Sequence, residues 1–279
     1  MAAQSRQPVD SWGSGWHDVV VDGTLGQLAD TDLLYLTDVL AAGADRVRML
    51  RVLREDEEIL RAMLADQRLF DRISSDPQTL LRVSPRLLFC VLLTRVKKDL
   101  ERLGYTVERN RTVVFDGPQV ASLLGDKRIA DYLVELLASF VRVQSTTLTV
   151  RLRRGVWRRY RFSDLDVMGL IRYTATLEEA ERFAWYRRIG DLCLFLSGVF
   201  PDSLHGASGS SAARGLSPAA CVDSGRNFYR AAARHPRADA TIVEVLARLA
   251  EVFELAVKPL DHLASRYLGS LRDRLFDPQ

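Results

Sequence analysis

Near the C-terminus, Ile242, Leu246, Leu249, Phe253, Ala256, Leu260, Leu263 and Tyr267 follow one another at alternating spacings of four and three. Residues three and four apart lie on one face of an α-helix, so the series is a stripe only if the chain is helical there. The spacing predicts one long helix from Ala238 to Leu268, bent or interrupted by Pro259, whose ring removes a backbone donor. An apolar stripe of that length has to be covered, by other helices of the chain or by a second copy. It sets the expected fold class: mainly α, a multi-helix bundle-like core, with a homo-oligomer through the C-terminal helix among the expected partners.

The rest of the chain fits that class. TDLLYLTDVLAA reads as a helix from Thr31 that closes at Gly43, and a second helix covers about 44 to 65. Ser84-Pro85 opens another, because serine caps free amides and proline loses nothing at the first helical position. Helical text returns in QVASLL and RIADYLVELLASFV, then after Ser163, which stands three residues before Asp166 in a capping-box-like pattern. A helix over about 178 to 200 is apolar nearly all round from Ile189 to Phe200 and is the expected centre of the core.

Two segments alternate with period two instead, which predicts one or two small β-hairpins. YTVE and TVVF flank Arg109-Asn110-Arg111, and STTLTVRLR and VWRRYRF flank Arg154-Gly155. The expected organisation is an N-terminal arm over 1–29, docked by Trp12 and Trp16, and a helical lobe over 30–143 with a hairpin near 105–115. A second lobe over 144–279 carries the other hairpin and a flexible Gly/Ser-rich loop near 202–217.

Composition excludes more than it assigns. With 279 residues and 47% hydrophobic content the chain can bury a core without staples, and a net charge of +3 implies no polyanion by itself. Lys97, Lys98, Lys127 and Lys258 are the only lysines; the other 35 of 39 basic residues are arginine. Cys90, Cys193 and Cys221 form no CxxC and read as buried thiols in a reducing compartment. The most apolar run, IGDLCLFLSGVF, is too short to cross a membrane and contains Asp191. A cytoplasmic protein with no membrane contact is expected.

Chemistry-bearing motifs are sparse. His17, His205, His235 and His262 form no metal-binding spacing, so no metal is expected. His205 and His235 read as exposed, and His262 as a surface partner of its neighbour Asp261. Neither GxxxxGK[ST] nor GxSxG occurs, and no GxGxxG follows a strand. No cofactor is expected, no catalytic residue is assigned, and the balance leans away from an enzyme. Asp191 stands four residues after Arg187 and three after Arg188 on the apolar helix. Arg187 and Asp191 are either the polar wall of a pocket or an internal ion pair.

The segment RLRRGVWRRYRF, 151–162, concentrates charge. No acid occurs between Glu135 and Asp164, and 136–163 holds seven arginines, leaving the rest of the chain at −4. Alternation puts Thr146, Leu148, Val150 and Leu152 on one face of the first strand, and Val156, Arg158, Tyr160 and Phe162 on one face of the second. Trp157, Arg159 and Arg161 lie opposite. Guanidinium groups beside an indole suit phosphate contact and base stacking, while charged edge strands also serve to block aggregation. The expected function is a non-enzymatic interaction protein that meets an anionic protein surface or a nucleic acid through Arg151, Arg153, Arg154, Trp157, Arg158, Arg159 and Arg161.

QVASLLGDKRIADYL, followed by RRGVWRRYRFSDLDVMGL, resembles the small DNA-binding modules of the excisionase kind. In those, a helix-turn-helix of the type VAxLLG precedes a basic hairpin ending in R-Y-R-F/I and a capped helix. The likeness covers 117–170 and implies a DNA-binding regulator as the alternative function. Its recognition helix would be the segment after Gly125, which runs on as YLVELLASFV with Lys127 and Arg128 as its only bases. A third alternative is a helical ligand-binding protein or enzyme with a pocket around Asp191.

Overall fold

The computed structural model describes residues 24–80, 82–102, 117–141, 165–204 and 216–269, and the backbone of 105–107, 112–114, 145–153 and 156–163. The chain is mainly helical: a 3-10 turn (Thr24–Gln27), α1 (Asp30–Leu40), α2 (Arg46–Glu55), α3 (Glu57–Leu64), α4 (Gln67–Ser75), α5 (Pro77–Leu80) and α6 (Pro85–Arg102) come first. After β1 (Tyr105–Val107) and β2 (Thr112–Val114) come α7 (Gly117–Gly125) and α8 (Lys127–Ser139). Then β3 (Ser145–Arg153) and β4 (Val156–Ser163) precede α9 (Val167–Thr174) and α10 (Phe183–Val199). Last are α11 (Pro218–Ala233), α12 (Ala240–Glu251) and α13 (Phe253–Leu263), which runs into a π-turn (Ala264–Leu268).

Among the described residues, every buried side chain belongs to a helix or to a connection between helices. Among the described residues the core is helical, and the expected hairpins are not seen as part of it. Antiparallel backbone pairing joins β1 to β2 and β3 to β4, but the side chains of these segments, and the turn residues 108–111 and 154–155, lie outside the described residues.

Aspartates write the helix boundaries. Asp45, Asp56, Asp66, Asp126, Asp166 and Asp239 each accept a hydrogen bond from the backbone of the first turn that follows, satisfying amides that have no helical partner. The helix expected over 44–65 is broken for this reason. Asp56 ends α2 and its Oδ1 accepts from the amides of Glu58 and Ile59 at 3.0 and 3.1 Å. Asp166, not Ser163, caps α9, through the Gly169 amide at 2.8 Å. Ser84 caps α6 as expected, accepting from the Leu87 amide at 3.1 Å, and Gly43 after α1 takes φ 90°, a left-handed value that favours glycine.

The long C-terminal helix is also broken, at Val252 and not at Pro259, which sits inside α13. Its stripe continues across the break, because Leu249 and Phe253 are both fully buried. From Ile242 to Leu263 the stripe packs within its own chain, against α10, α11 and α6. Helix α10 is the centre, as its all-round apolar surface predicts, and touches α8, α9, α11 and α13. Close approach depends on glycine: a Cβ on Gly190 would stand 2.5 Å from the Tyr229 ring, and one on Gly225 2.3 Å from Phe253 Cζ. Buried residues from Leu25 to Leu263 make one apolar cluster.

The end of the expected N-terminal arm is held down. Leu25 and Leu28 are buried, and the Arg54 guanidinium donates to the carbonyls of Gly26 and Leu28 at 2.8 and 2.7 Å. Trp12, Trp16 and the loop residues 205–215 lie outside the described residues.

Candidate functional site

The basic segment is described through its register. Arg151 pairs with Trp157, Thr149 with Arg159 and Thr147 with Arg161, whereas Val150 pairs with Arg158 and Leu148 with Tyr160. Directly opposed residues of an antiparallel pair share a face. Positions 151, 157, 159 and 161 are thus on one face and 158 on the other. An irregularity separates Arg151 from Arg153, which pairs with Val156; Arg154 lies outside the described residues. Charges in the helical body are extensively paired, as in Arg46 with Asp38 at 2.7 Å, Arg86 with Glu135 at 2.6 Å and Arg226 with Glu254 at 3.0 Å.

Arg187 and Asp191 are both buried, together with Arg188. Asp191 Oδ1 accepts from the Tyr132 hydroxyl at 2.6 Å and the Tyr229 hydroxyl at 2.9 Å, which brings α8 and α11 onto α10. Burial pushes the Asp191 carboxyl up from its ordinary value, while Arg187 and the two hydroxyls oppose the rise. Burial, with Asp191 adding to it, holds both tyrosine hydroxyls well above their usual range, so they stay protonated donors. Arg188 donates to Ser139 Oγ at 2.9 Å and lies 3.8 Å from the Phe140 ring centre. This arrangement suits a polar tie between three helices. Among the described residues, cavities of about 290 and 320 Å³ occur elsewhere, and neither is lined by Asp191 or Arg187.

Two histidine expectations need correction. His235 is buried: its Nε2 is 2.8 Å from the Glu179 carbonyl and its Nδ1 accepts from the Arg237 amide at 3.1 Å, the pattern of a neutral ring with its proton on Nε2. It ties the end of α11 to the turn before α10. His262 is buried too, facing Asp99 of α6, with Nε2 to Oδ2 at 3.5 Å. Asp99 also accepts from the Tyr267 hydroxyl and pairs with Arg95 at 3.2 Å. Local spacing was blind to this cluster because Asp99 and His262 are 163 residues apart.

Burial lowers the His262 pKa from 6.5, with Asp99 acting the other way. The unfolded chain therefore takes up this proton first. The contribution of His262 to stability is complete above about pH 6.5 and is lost as pH falls from there through the folded value. Chemical denaturation at pH 7.5 and pH 5.5 is expected to show His262→Gln losing less stability on acidification than the parent; equal losses would remove His262 from the acid response.

The cavity of about 290 Å³ is lined by residues of α3, α6, α7 and α8, among them Arg61, Lys97, Lys98 and Lys127. The sequence marks these lysines by their scarcity, but nothing in their spacing gathers them at one place. Cys90 borders the cavity, and burial together with Asp131 and Glu135 pushes its thiol up, which suppresses nucleophilic character. All three cysteines are buried free thiols. Among the described residues no group of three or more His, Cys, Asp or Glu side chains is placed to hold a metal, and no helix is long and apolar enough to cross a membrane. No protein-family model, curated protein or solved structure matches the chain.

Proposed function

We propose that this is a non-enzymatic interaction protein of the cytoplasm that engages an anionic partner, an acidic protein surface or a nucleic acid, through the segment from Arg151 to Arg161. The observation that carries the reading is the uncompensated charge of 136–163, seven arginines and no acid. The β3–β4 register supports it by giving Arg151, Arg159 and Arg161 positions beside Trp157. Guanidinium groups pair with phosphate or carboxylate in bidentate fashion, and an indole among them adds a stacking surface.

This reading is favoured over insertion of a recognition helix into DNA. The helix that would enter the groove is α8, whose Ile129, Tyr132, Leu133, Val134, Leu136 and Leu137 are buried, along with Asp131 and Glu135. A groove-reading helix needs an exposed polar and basic face, and α8 spends its length on the core.

The test is a comparison of two variants for binding to single-stranded RNA, duplex DNA and polyglutamate. The triple reversal Arg151→Glu/Arg159→Glu/Arg161→Glu is expected to abolish binding with the thermal midpoint unchanged. Arg158→Glu, on the other face of β4, is expected to retain most of it. Undiminished binding by the triple variant would sink the proposal.

A further inference from the structure

We propose that the cavity between α3, α6, α7 and α8 is a binding site for a small amphipathic anion, a monocarboxylate with a short apolar tail. The inference is independent of the basic segment. It rests on a juxtaposition: three of the four lysines in an otherwise arginine-based chain line one cavity with an apolar wall.

The wall is made by Leu25, Leu64, Leu93, Leu124 and Val134. These side chains are buried against the core, so the space is backed by close-packed structure. Its volume, about 290 Å³, is roughly twice the ~150 Å³ that accepts benzene in an apolar cavity, which corresponds to roughly ten to twelve heavy atoms. That fits a chain of about eight carbons with its carboxylate.

Four cations, Arg61, Lys97, Lys98 and Lys127, line the site against two acids, Glu101 and Asp131. Several of these charges already have partners. Arg61 holds Glu57 at 2.6 Å and Asp131 at 3.7 Å, Lys127 holds Glu58 at 2.7 Å, and Lys98 donates to the Ala65 carbonyl. Among the described residues Lys97 faces Glu101 at 4.0 Å, the longest of these contacts. Its ammonium stands 3.8 Å from where a Cβ on Gly125 would lie, so it occupies the space beside the end of α7. An ammonium at the rim of an apolar cavity is a complementary head-group partner for a carboxylate whose tail lies inside.

The probe is sodium octanoate, titrated calorimetrically into the 279-residue chain beside octanol, acetate and inorganic phosphate. Octanoate is expected to bind about 10-fold or more tightly than either octanol or acetate, about 1.4 kcal/mol for each missing half of the ligand. Lys97→Gln, a partly exposed change, is expected to weaken octanoate about 10-fold while leaving octanol unaffected. Leu93→Trp, which fills the cavity, is expected to abolish binding of both; should that variant misfold, Ala130→Leu fills the same space from the less buried α8 side. The triple reversal in 151–161 is expected to bind octanoate as the parent does. Octanol binding as tightly as octanoate, phosphate competing equally, or no octanoate binding at all would each overturn the proposal.

Discussion

Asp191→Ala is expected to lower the unfolding free energy by about 3–5 kcal/mol, the range found when one member of a buried charged group is removed. Two fully buried hydroxyls, those of Tyr132 and Tyr229, would lose the oxygen that accepts them at 2.6 and 2.9 Å. Arg187 and Arg188, both buried, would keep their charge without the carboxylate whose ionisation they favour. Asp191→Asn retains an acceptor oxygen but no charge, and is expected to fall between the parent and the alanine variant. Urea denaturation read by circular dichroism gives the ordering. A loss below about 1 kcal/mol for the alanine variant, the scale of a single ordinary hydrogen bond, would mean that the tie between α8, α10 and α11 is not structural.

Gly225→Ala is expected to cost about 2 kcal/mol net. Alanine gains about 1 kcal/mol over glycine in a helix interior, whereas overpacking a filled core costs up to about 3 kcal/mol. The upper end applies because the new methyl carbon would stand 2.3 and 2.6 Å from two Phe253 ring atoms and 2.8 Å from Cys193 Cβ. Both neighbours are fully buried, so nothing can swing aside into solvent. Combining Gly225→Ala with Phe253→Leu trims the ring and is expected to destabilise by less than the sum of the single losses, since contacting sites couple. Additive losses in the two-by-two comparison would place the strain elsewhere.

The helical class and most of its elements were readable because they depend on local order. The stripe from Ile242 to Tyr267, the Ser84-Pro85 start and the Gly43 stop all act within a few residues. Boundaries were less readable where one residue type serves two purposes. Asp56 lies in an acidic run that looks like a solvated face, yet its carboxylate ends one helix and begins the next. The break at Val252 leaves no trace in the stripe, because the burial pattern is the same on both sides of it.

Site residues divide along the same line. The burial of Asp191 follows from the apolar text around it, but its acceptor role depends on tyrosines 59 and 38 residues away. The pairing of His262 with Asp99, and the gathering of Lys97, Lys98 and Lys127 around one cavity, are products of tertiary packing between helices far apart in the chain. Spacing arguments reach one helix face or one hairpin. Beyond that range only charge balance remained, and it singled out 151–161 without naming its partner.

Salt dependence is the sharpest test of whether this basic segment binds an anionic partner. Affinity for single-stranded RNA or duplex DNA should be titrated by fluorescence anisotropy between 50 and 200 mM salt, with the triple reversal at Arg151, Arg159 and Arg161 beside the parent. With about four phosphate contacts the affinity of the parent is expected to fall roughly 100-fold across that range, as displaced counterions return to the nucleic acid. The same slope should be absent in the variant. Absence of binding to nucleic acid and to polyglutamate at 50 mM salt, or a salt slope that the triple reversal leaves unchanged, would rule out an anionic partner at 151–161.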